Sequence, residues 1–526
     1  MHVQIEAKIA SNRRDIEHKS AQLSLMAQRS AGVCMHITSL PGPHGIGEIG
    51  QDAHRFIDAL AGAGLRIWQF LPTGPTAYGD SPYQPLSTYA GNPMMIELRE
   101  LESLGLIDAD ELDVLAGLPH DTVDYGVLIP AKTALLAKAA ERFKANPPPL
   151  LAREFETFIK ATDDVWLSDY ALFRTLKSAH NDRPWSSWPE VYRRRDAAAL
   201  QAFADQHSDA LFAVKFNEFF FDRQWRALRA HARQAGVQLF GDMPIYIALD
   251  SADAWANGEL LRLDSEGRPT EVAGVPPDYF SADGQLWGNP LYDWNYHHES
   301  RFGWWVERMR HTMSQVDIVR IDHFRGFEAF WAVPYGAETA RDGAWETGPN
   351  DAIFDAMHAA LGDMPIVAED LGEITPAVDA LRVRHKMPGM SVLQFMVGEP
   401  HFDLDSINVD SVCYTGTHDN DTTLGWYRGG PGDVRTPEEI AATQHHVKQH
   451  INGTEANVHW AMIETAFASR ACLAIAPMQD YLGLGSEARV NTPGKPADNW
   501  RWRMAAQAFD AALQQKIAAL VTMHHR

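Results

Sequence analysis

Residues 317–330 read Asp-Ile-Val-Arg-Ile-Asp-His-Phe-Arg-Gly-Phe-Glu-Ala-Phe, an apolar run interrupted by a cation and a carboxylate two positions apart. Side chains alternate along a strand, so Arg320 and Asp322 would point to the same face. Gly326 and the aromatics around it end the strand near Phe324 and leave Asp322 at its carboxyl end. Other apolar runs close in the same way. Glu369 and Asp370 follow Ile366-Val367-Ala368, and Asp419 follows Tyr414-Thr415-Gly416-Thr417-His418. Strands of a parallel sheet are buried on both faces and read as continuous Val, Ile and Leu, so acids recurring at their ends point to a site.

Converging carboxyls suit glycosidic-bond chemistry. A retaining reaction needs one ionised carboxylate as nucleophile and one protonated carboxyl as general acid, about 5–5.5 Å apart. Arg320 beside Asp322 would keep that carboxylate ionised, which makes Asp322 the nucleophile candidate. Glu369 follows an apolar strand and has the like charge of Asp370 next to it, so its pKa would rise, as an acid/base requires. The alternative use of an acid cluster is a Mg²⁺ or Ca²⁺ site, with Asp419-Asn420-Asp421 as the most metal-like tripeptide. It lacks the regular spacing of a calcium loop, and no metal or cofactor is expected.

Strands must hold these acids in place. Eight apolar runs qualify, at residues 33–40, 67–71, 237–247, 318–324, 366–371, 391–395, 412–417 and 472–478, the third interrupted by Gly241-Asp242-Met243-Pro244. Helical stretches at 51–63, 352–361 and 375–384 lie between them. The alternation predicts a (β/α)8 TIM barrel, whose chemistry sits at the carboxyl ends of its strands. A doubly wound sheet is the other candidate, but no Gly-x-Gly-x-x-Gly turn follows the first run. The barrel would span 31–526. Residues 1–30, with apolars scattered among charges, would form a helical extension without assigned function. An insertion at about 76–236 is mostly helical: Leu135, Ala139 and Phe143 recur every fourth residue, and Phe212, Phe216, Phe219 and Phe220 share a stripe. Pro147-Pro148-Pro149 is a loop within it. The loop 78–84, with Tyr78 and Tyr83, is either a sugar-binding rim or a surface turn. A second insertion, about 250–300, reads as a loop.

Composition restricts the partner. The 526 residues are 45% hydrophobic, ample for a large core. Their 46 basic and 69 acidic residues give a net charge of -23, which argues against nucleic acid and anionic membrane partners and leaves a neutral ligand. Cys34, Cys413 and Cys472 have no metal-ligand spacing and read as thiols in a reducing compartment. No apolar run suits a signal peptide or a membrane span, so a cytoplasmic location is expected. Sixteen Trp supply faces on which sugar rings stack, although large cores use them too.

Residues 317–327, Val-Ala-Glu-Asp-Leu-Gly at 367–372 and Tyr-Thr-Gly-Thr-His-Asp-Asn-Asp-Thr at 414–422 resemble the signature segments of amylomaltases, the bacterial 4-α-glucanotransferases related to α-amylases. The resemblance continues through Gly-Asp-Met-Pro-Ile (241–245), Val-Pro-Pro-Asp-Tyr-Phe (275–280), Gly-Asn-Pro-Leu-Tyr (288–292), Gly-Asp-Ser-Pro-Tyr-Gln (79–84) and Gly-Leu-Gly-Ser-Glu-Ala-Arg (483–489). It spans roughly 32–502. It implies a retaining enzyme acting on maltooligosaccharides and α-1,4-glucans, with Asp322 as nucleophile, Glu369 as acid/base and Asp419 as transition-state stabiliser. Asp419 would grip the sugar's secondary hydroxyls with His418, Arg320 would orient the nucleophile, Asp242 would lie in the same cleft, and Tyr83 would stack near the donor sugar. It also implies a missing C-terminal β-domain, in keeping with the short run after Met478.

The 250–300 loop carries Asp278, Tyr279, Phe280, Gln285, Trp287 and Asn289. Prolines and aromatics over the mouth would exclude water and stack an incoming glucan, favouring transfer over hydrolysis. Packing on the barrel rim for stability explains them equally, and the resemblance favours the acceptor role. The rivals are a hydrolase of the same substrates and a noncatalytic glucan-binding protein; the latter would need no general acid.

Overall fold

The computed structural model describes residues 28–277, 283–495 and 497–526. The expected N-terminal extension, up to residue 27, and the candidates Asp278, Tyr279 and Phe280 lie outside the described residues.

Eight parallel strands form the barrel: β1 (Ser30–Cys34), β2 (Ile67–Gln69), β3 (Gln238–Pro244), β4 (Ile318–Asp322), β5 (Ile366–Ala368), β6 (Gly389–Val392), β7 (Ser411–Tyr414) and β8 (Leu473–Pro477). Each pairs with its neighbours in chain order except β5 with β6, and β8 returns to β1. The seam between β5 and β6 is closed by the Ala368 N–H donating to the Pro388 carbonyl at 2.9 Å. Alternating side chains, among them Ile67, Phe240, Ile318, Val367, Val412 and Ile475, fill the interior as a packed core. The barrel is thus solid, and its chemistry is confined to the rim.

All eight expected runs are barrel strands, with shifted ends. β1 starts earlier, at Ser30, because Ser30 and Ala31 pair with Leu473 and Ala474, while 37–39 and 393–395 are single 3-10 turns. The supposed interruption at 241–244 is absent: β3 runs on to Pro244, with Gly241 paired to Val319 and Asp242 to Arg320. Gly241 is a packing residue, since a Cβ there would lie 2.8 Å from the Val316 side chain.

Between β2 and β3 the chain forms a helical layer in which Tyr125–Ala145 and Ser208–Ala235 are the longest helices. Their stripes face one another: the ring of Phe143 lies 5.4 Å from Phe216 and 6.2 Å from Phe220, all fully or nearly fully buried. The run of prolines ends by opening a helix, Pro149–Thr162, where a missing N–H costs nothing. A buried cation ties the layer to the barrel: Lys132, 0% exposed, bonds Glu48 and donates to the Met94 carbonyl at 2.9 Å, and Glu48 also meets His44 at 2.9 Å.

Residues 250–300 are not a plain loop. Glu271–Val275 and Gln285–Pro290 join Ala329–Pro334 and Ala344–Thr347 in a four-stranded antiparallel sheet beside the barrel mouth. Glu271–Val275 pairs with Gln285–Pro290 nearby and with Ala329–Pro334 beyond β4 in the chain, and it is the second pairing that local patterning could not show. Among the described residues, no helix is long and apolar enough to cross a membrane.

Candidate active site

Adjacent strands set the first contacts. Register places Asp242 on β3 beside Arg320 on β4, and the guanidinium spans two carboxylates: Nη1 donates to Asp242 Oδ2 at 2.6 Å and Nη2 meets Asp322 Oδ1 at 2.9 Å. Arg320 is 4% exposed, so this is a desolvated cation held by fixed anions. Burial pushes the Asp242 carboxyl up despite Arg320. Asp242 Oδ2 also accepts from the Tyr83 hydroxyl at 2.7 Å. The same hydroxyl lies 2.9 Å from His418 Nε2, and the two rings stack at 5.2 Å and 13°. With its proton committed to Asp242, the Tyr83 oxygen accepts from a His418 Nε2–H.

Glu369 stands at the exit of β5 with surroundings of another kind. Its side-chain oxygens accept backbone N–H groups, Oε2 from His323 at 2.8 Å and Oε1 from Leu371 at 2.9 Å. Burial pushes its pKa up to about 7, with Arg320 opposing the rise and Asp322 adding to it. The His323 amide reaches Glu369 because that residue, directly after Asp322, has φ 52°, a left-handed conformation uncommon outside glycine. One bend therefore orients both acids.

Asp419 lies on the loop after β7. Its Oδ1 accepts from Asn491 Nδ2 at 2.6 Å and lies 3.4 Å from His418 Nε2, and its carbonyl accepts from Arg489 Nη2 at 2.8 Å. Its side chain stays 46% exposed and faces open space. Asn420 and Asp421 turn elsewhere: Asn420 Oδ1 caps Thr417, and Asp421 accepts from Ser486 Oγ at 2.6 Å. Among the described residues no three His, Cys, Asp or Glu side chains gather as metal ligands would.

The second sheet brings Trp287 to this rim, its ring edge-on to His323 at 4.7 Å and 84°, with Nε1–H donating to Gln285 Oε1 at 3.1 Å. Asn289 is not free to face the cleft in the same way. It is 6% exposed, donates from Nδ2 to the Ile247 carbonyl at 2.9 Å and accepts from Gln84 Nε2 at 3.1 Å. It pins the sheet to the exit of β3 and to the loop bearing Tyr83.

Sequence reasoning passed over Asp480, in the short helix after β8. This acid is 1% exposed, and it accepts from Thr415 Oγ1 at 2.5 Å, Thr423 Oγ1 at 2.7 Å and Thr423 N–H at 2.7 Å. Those threonines flank the loop that carries His418 and Asp419. The available signal was an acid three residues past a strand-ending proline. Asn491 and Arg489, which hold Asp419 directly, stood in or just after a quoted segment without an assigned role.

The chain and its fold have counterparts among known proteins. A protein called 4-alpha-glucanotransferase from Thermus thermophilus is 45% identical over 485 residues, covering 90% of this chain and 95% of that one. Another of the same name from Synechocystis is 43% identical, covering 95% and 99%. Among solved structures, an amylomaltase from Streptococcus agalactiae in complex with acarbose superposes with a TM-score of 0.89 at 33% identity, over 95% of this chain and all of that one. The model of glycoside hydrolase family 77, described as 4-alpha-glucanotransferase, matches residues 35–508, and the chain belongs to that family.

Proposed function

We propose that the protein moves α-1,4-glucan segments between maltooligosaccharides by retaining double displacement at this cleft. The observation that carries the reading is the unlike pair of carboxyls: Asp322 ion-paired to Arg320, and Glu369 half-buried, held by backbone amides with no ion pair among the described residues, and pushed up to about 7. The first suits a nucleophile and the second an acid that still holds its proton near neutrality. Asp322 attacks the anomeric carbon of the donor while Glu369 protonates the departing glycosidic oxygen, leaving a glycosyl ester on Asp322. Glu369, now a carboxylate, takes the proton of an acceptor 4-hydroxyl. That oxygen displaces Asp322 and restores the original configuration.

Asp419 and His418 hold the secondary hydroxyls of the donor sugar, which shift as the ring flattens. Tyr83 and Asp242 back this position, and Arg320 keeps the nucleophile aimed. Trp287 and Gln285, with Asp278, Tyr279 and Phe280 of the same segment, supply the acceptor side; Asn289 anchors that segment. The names of the relatives and the acarbose bound by the Streptococcus agalactiae enzyme support a glucan substrate. The free cysteines Cys34, Cys413 and Cys472 support work in a reducing cytoplasm.

The test is incubation of the purified protein with maltotriose alone, with products resolved by length over time. A ladder of longer maltooligosaccharides together with free glucose is expected. Glucose and maltose without longer chains would mean hydrolysis and would overturn the acceptor role of Trp287.

A further inference from the structure

Among the described residues, every seam of the barrel is a strand ladder except the one between β5 and β6. There the Ala368 N–H donates to the Pro388 carbonyl. In a regular parallel ladder the Ala368 carbonyl would accept the Met390 N–H in return. The Gly389 N–H turns the other way, to the Asp410 carbonyl just before β7 at 3.2 Å, so the Met390 N–H faces β5. It donates instead to the side chain of Asp370, whose Oδ1 accepts it at 2.6 Å. A carboxylate oxygen stands where the ladder would place a backbone carbonyl.

The surroundings fit this substitution on every side. A Cβ at Gly389 would lie 2.1 Å from Asp370 Oδ2, so the close approach requires glycine there. The same Oδ2 lies 3.2 Å from Arg382 Nε in an ion pair. Arg382 is itself held, with Nη1 donating to the Met387 carbonyl at 2.9 Å and Nη2 to Asp379. It sits on the helix Pro376–Arg384, which joins β5 to β6. Glu369, one residue before Asp370, bonds through its backbone to the β4 side alone: its N–H donates to the Ile321 carbonyl at 3.0 Å, and its carbonyl accepts the Phe324 N–H at 3.1 Å. Its two neighbours, Ala368 and Asp370, supply the bonds to β6.

We propose that the Asp370 carboxylate latches this seam and is thereby a positioning residue for Glu369, fixing that acid between β4 and β6. The consequence for turnover rests on the acid/base role proposed for Glu369; the latch itself does not. Asp370 could instead act on Glu369 only through its charge. A through-space role would need no amide on Oδ1, no arginine on Oδ2 and no glycine at the point of closest approach, and all three are present.

The test uses full-length Asp370→Ala, Asp370→Asn, Gly389→Ala and the Asp370→Ala/Gly389→Ala double variant. Amide exchange, read by mass spectrometry, and steady-state kinetics on maltotriose are measured on each. Asp370→Ala leaves the Met390 N–H without its acceptor and should speed exchange in the 389–392 segment by about tenfold. It should lower kcat by about 10–100-fold with little change in KM, the effect of a displaced acid/base. Asp370→Asn keeps an acceptor oxygen, so it should protect that segment and recover most of kcat despite the lost charge; it also guards against a folding defect in the Ala variant. Gly389→Ala pushes the carboxylate aside and should lower kcat on its own, yet add little once Asp370 is already Ala. Unchanged exchange at 389–392 in Asp370→Ala would overturn the latch. So would an Asn variant as damaged as the Ala variant, or losses that simply multiply in the double variant. A parent protein that leaves maltotriose unchanged would instead overturn the glucan reading, while the exchange comparison still decides the latch.

Discussion

Asp322 and Glu369 are both carboxyls on one rim, and their neighbours give them unlike surroundings. Arg320 contributes a fixed cation to the first, whereas burial dominates at the second. In the proposed role Glu369 must be protonated to act as an acid, so with its carboxyl pushed up to about 7 by burial, kcat/KM should fall as pH rises through that value. Glu369→Gln should lower kcat by about 10²–10⁴-fold and remove that alkaline limb; an unchanged limb in the Gln variant would assign it to another group. Asp322→Asn should abolish turnover on maltotriose while maltotriose binding survives, as read by titration of the same protein. Persistent turnover would remove Asp322 from the nucleophile's role.

At the scale of elements, the Asp419 loop is held from the segment after β8. Asp480 clasps Thr415 and Thr423 on its two flanks, and Asn491 and Arg489 hold Asp419 itself. Asp480→Asn retains an acceptor but loses the charge and one arm of the clasp. It should reduce kcat by about 10–100-fold with a smaller change in KM, because a small displacement of Asp419 matters most when the sugar ring distorts. Steady-state kinetics on maltotriose, with circular dichroism to establish folding, would show it. Equal loss in a Thr492→Ala control, which lies outside the clasp, would make the effect general loosening.

For the whole molecule, the helical layer and the barrel share a core and buried ionic junctions, among them Arg229 with Asp317 at 3.1 Å. Lys132 from the layer meets Glu48 from the connection after β1, with His44 beside it. Removing one partner of such a pair strands the other charge, so Lys132→Met should cost about 3–5 kcal/mol of stability. Urea unfolding followed by tryptophan fluorescence measures this. A loss within the ordinary surface range, roughly 0.5 kcal/mol, would show that the junction contributes little.

The apolar periodicity of the chain by itself determined the eight strands, their parallel order and the ends on which the acids sit, because a strand buried on both faces admits polar residues only where it leaves the core. The same alternation put Arg320 and Asp322 on one face. Tertiary structure decided what local pattern does not encode. The β3–β4 register gave Arg320 its second carboxylate, Asp242, and the left-handed bend at His323 turned an amide onto Glu369. Pairing of Glu271–Val275 with Ala329–Pro334, on the other side of β4, made Glu271–Val275 and Gln285–Pro290 part of a sheet although they read as loop when taken alone. Asp480 acquired its place only when β8 closed beside β7 and brought an acid of the helix that follows it against the flanks of the Asp419 loop. Each of these depends on contacts between residues distant in the chain, and sequence spacing carries no record of which distant neighbour a side chain will meet.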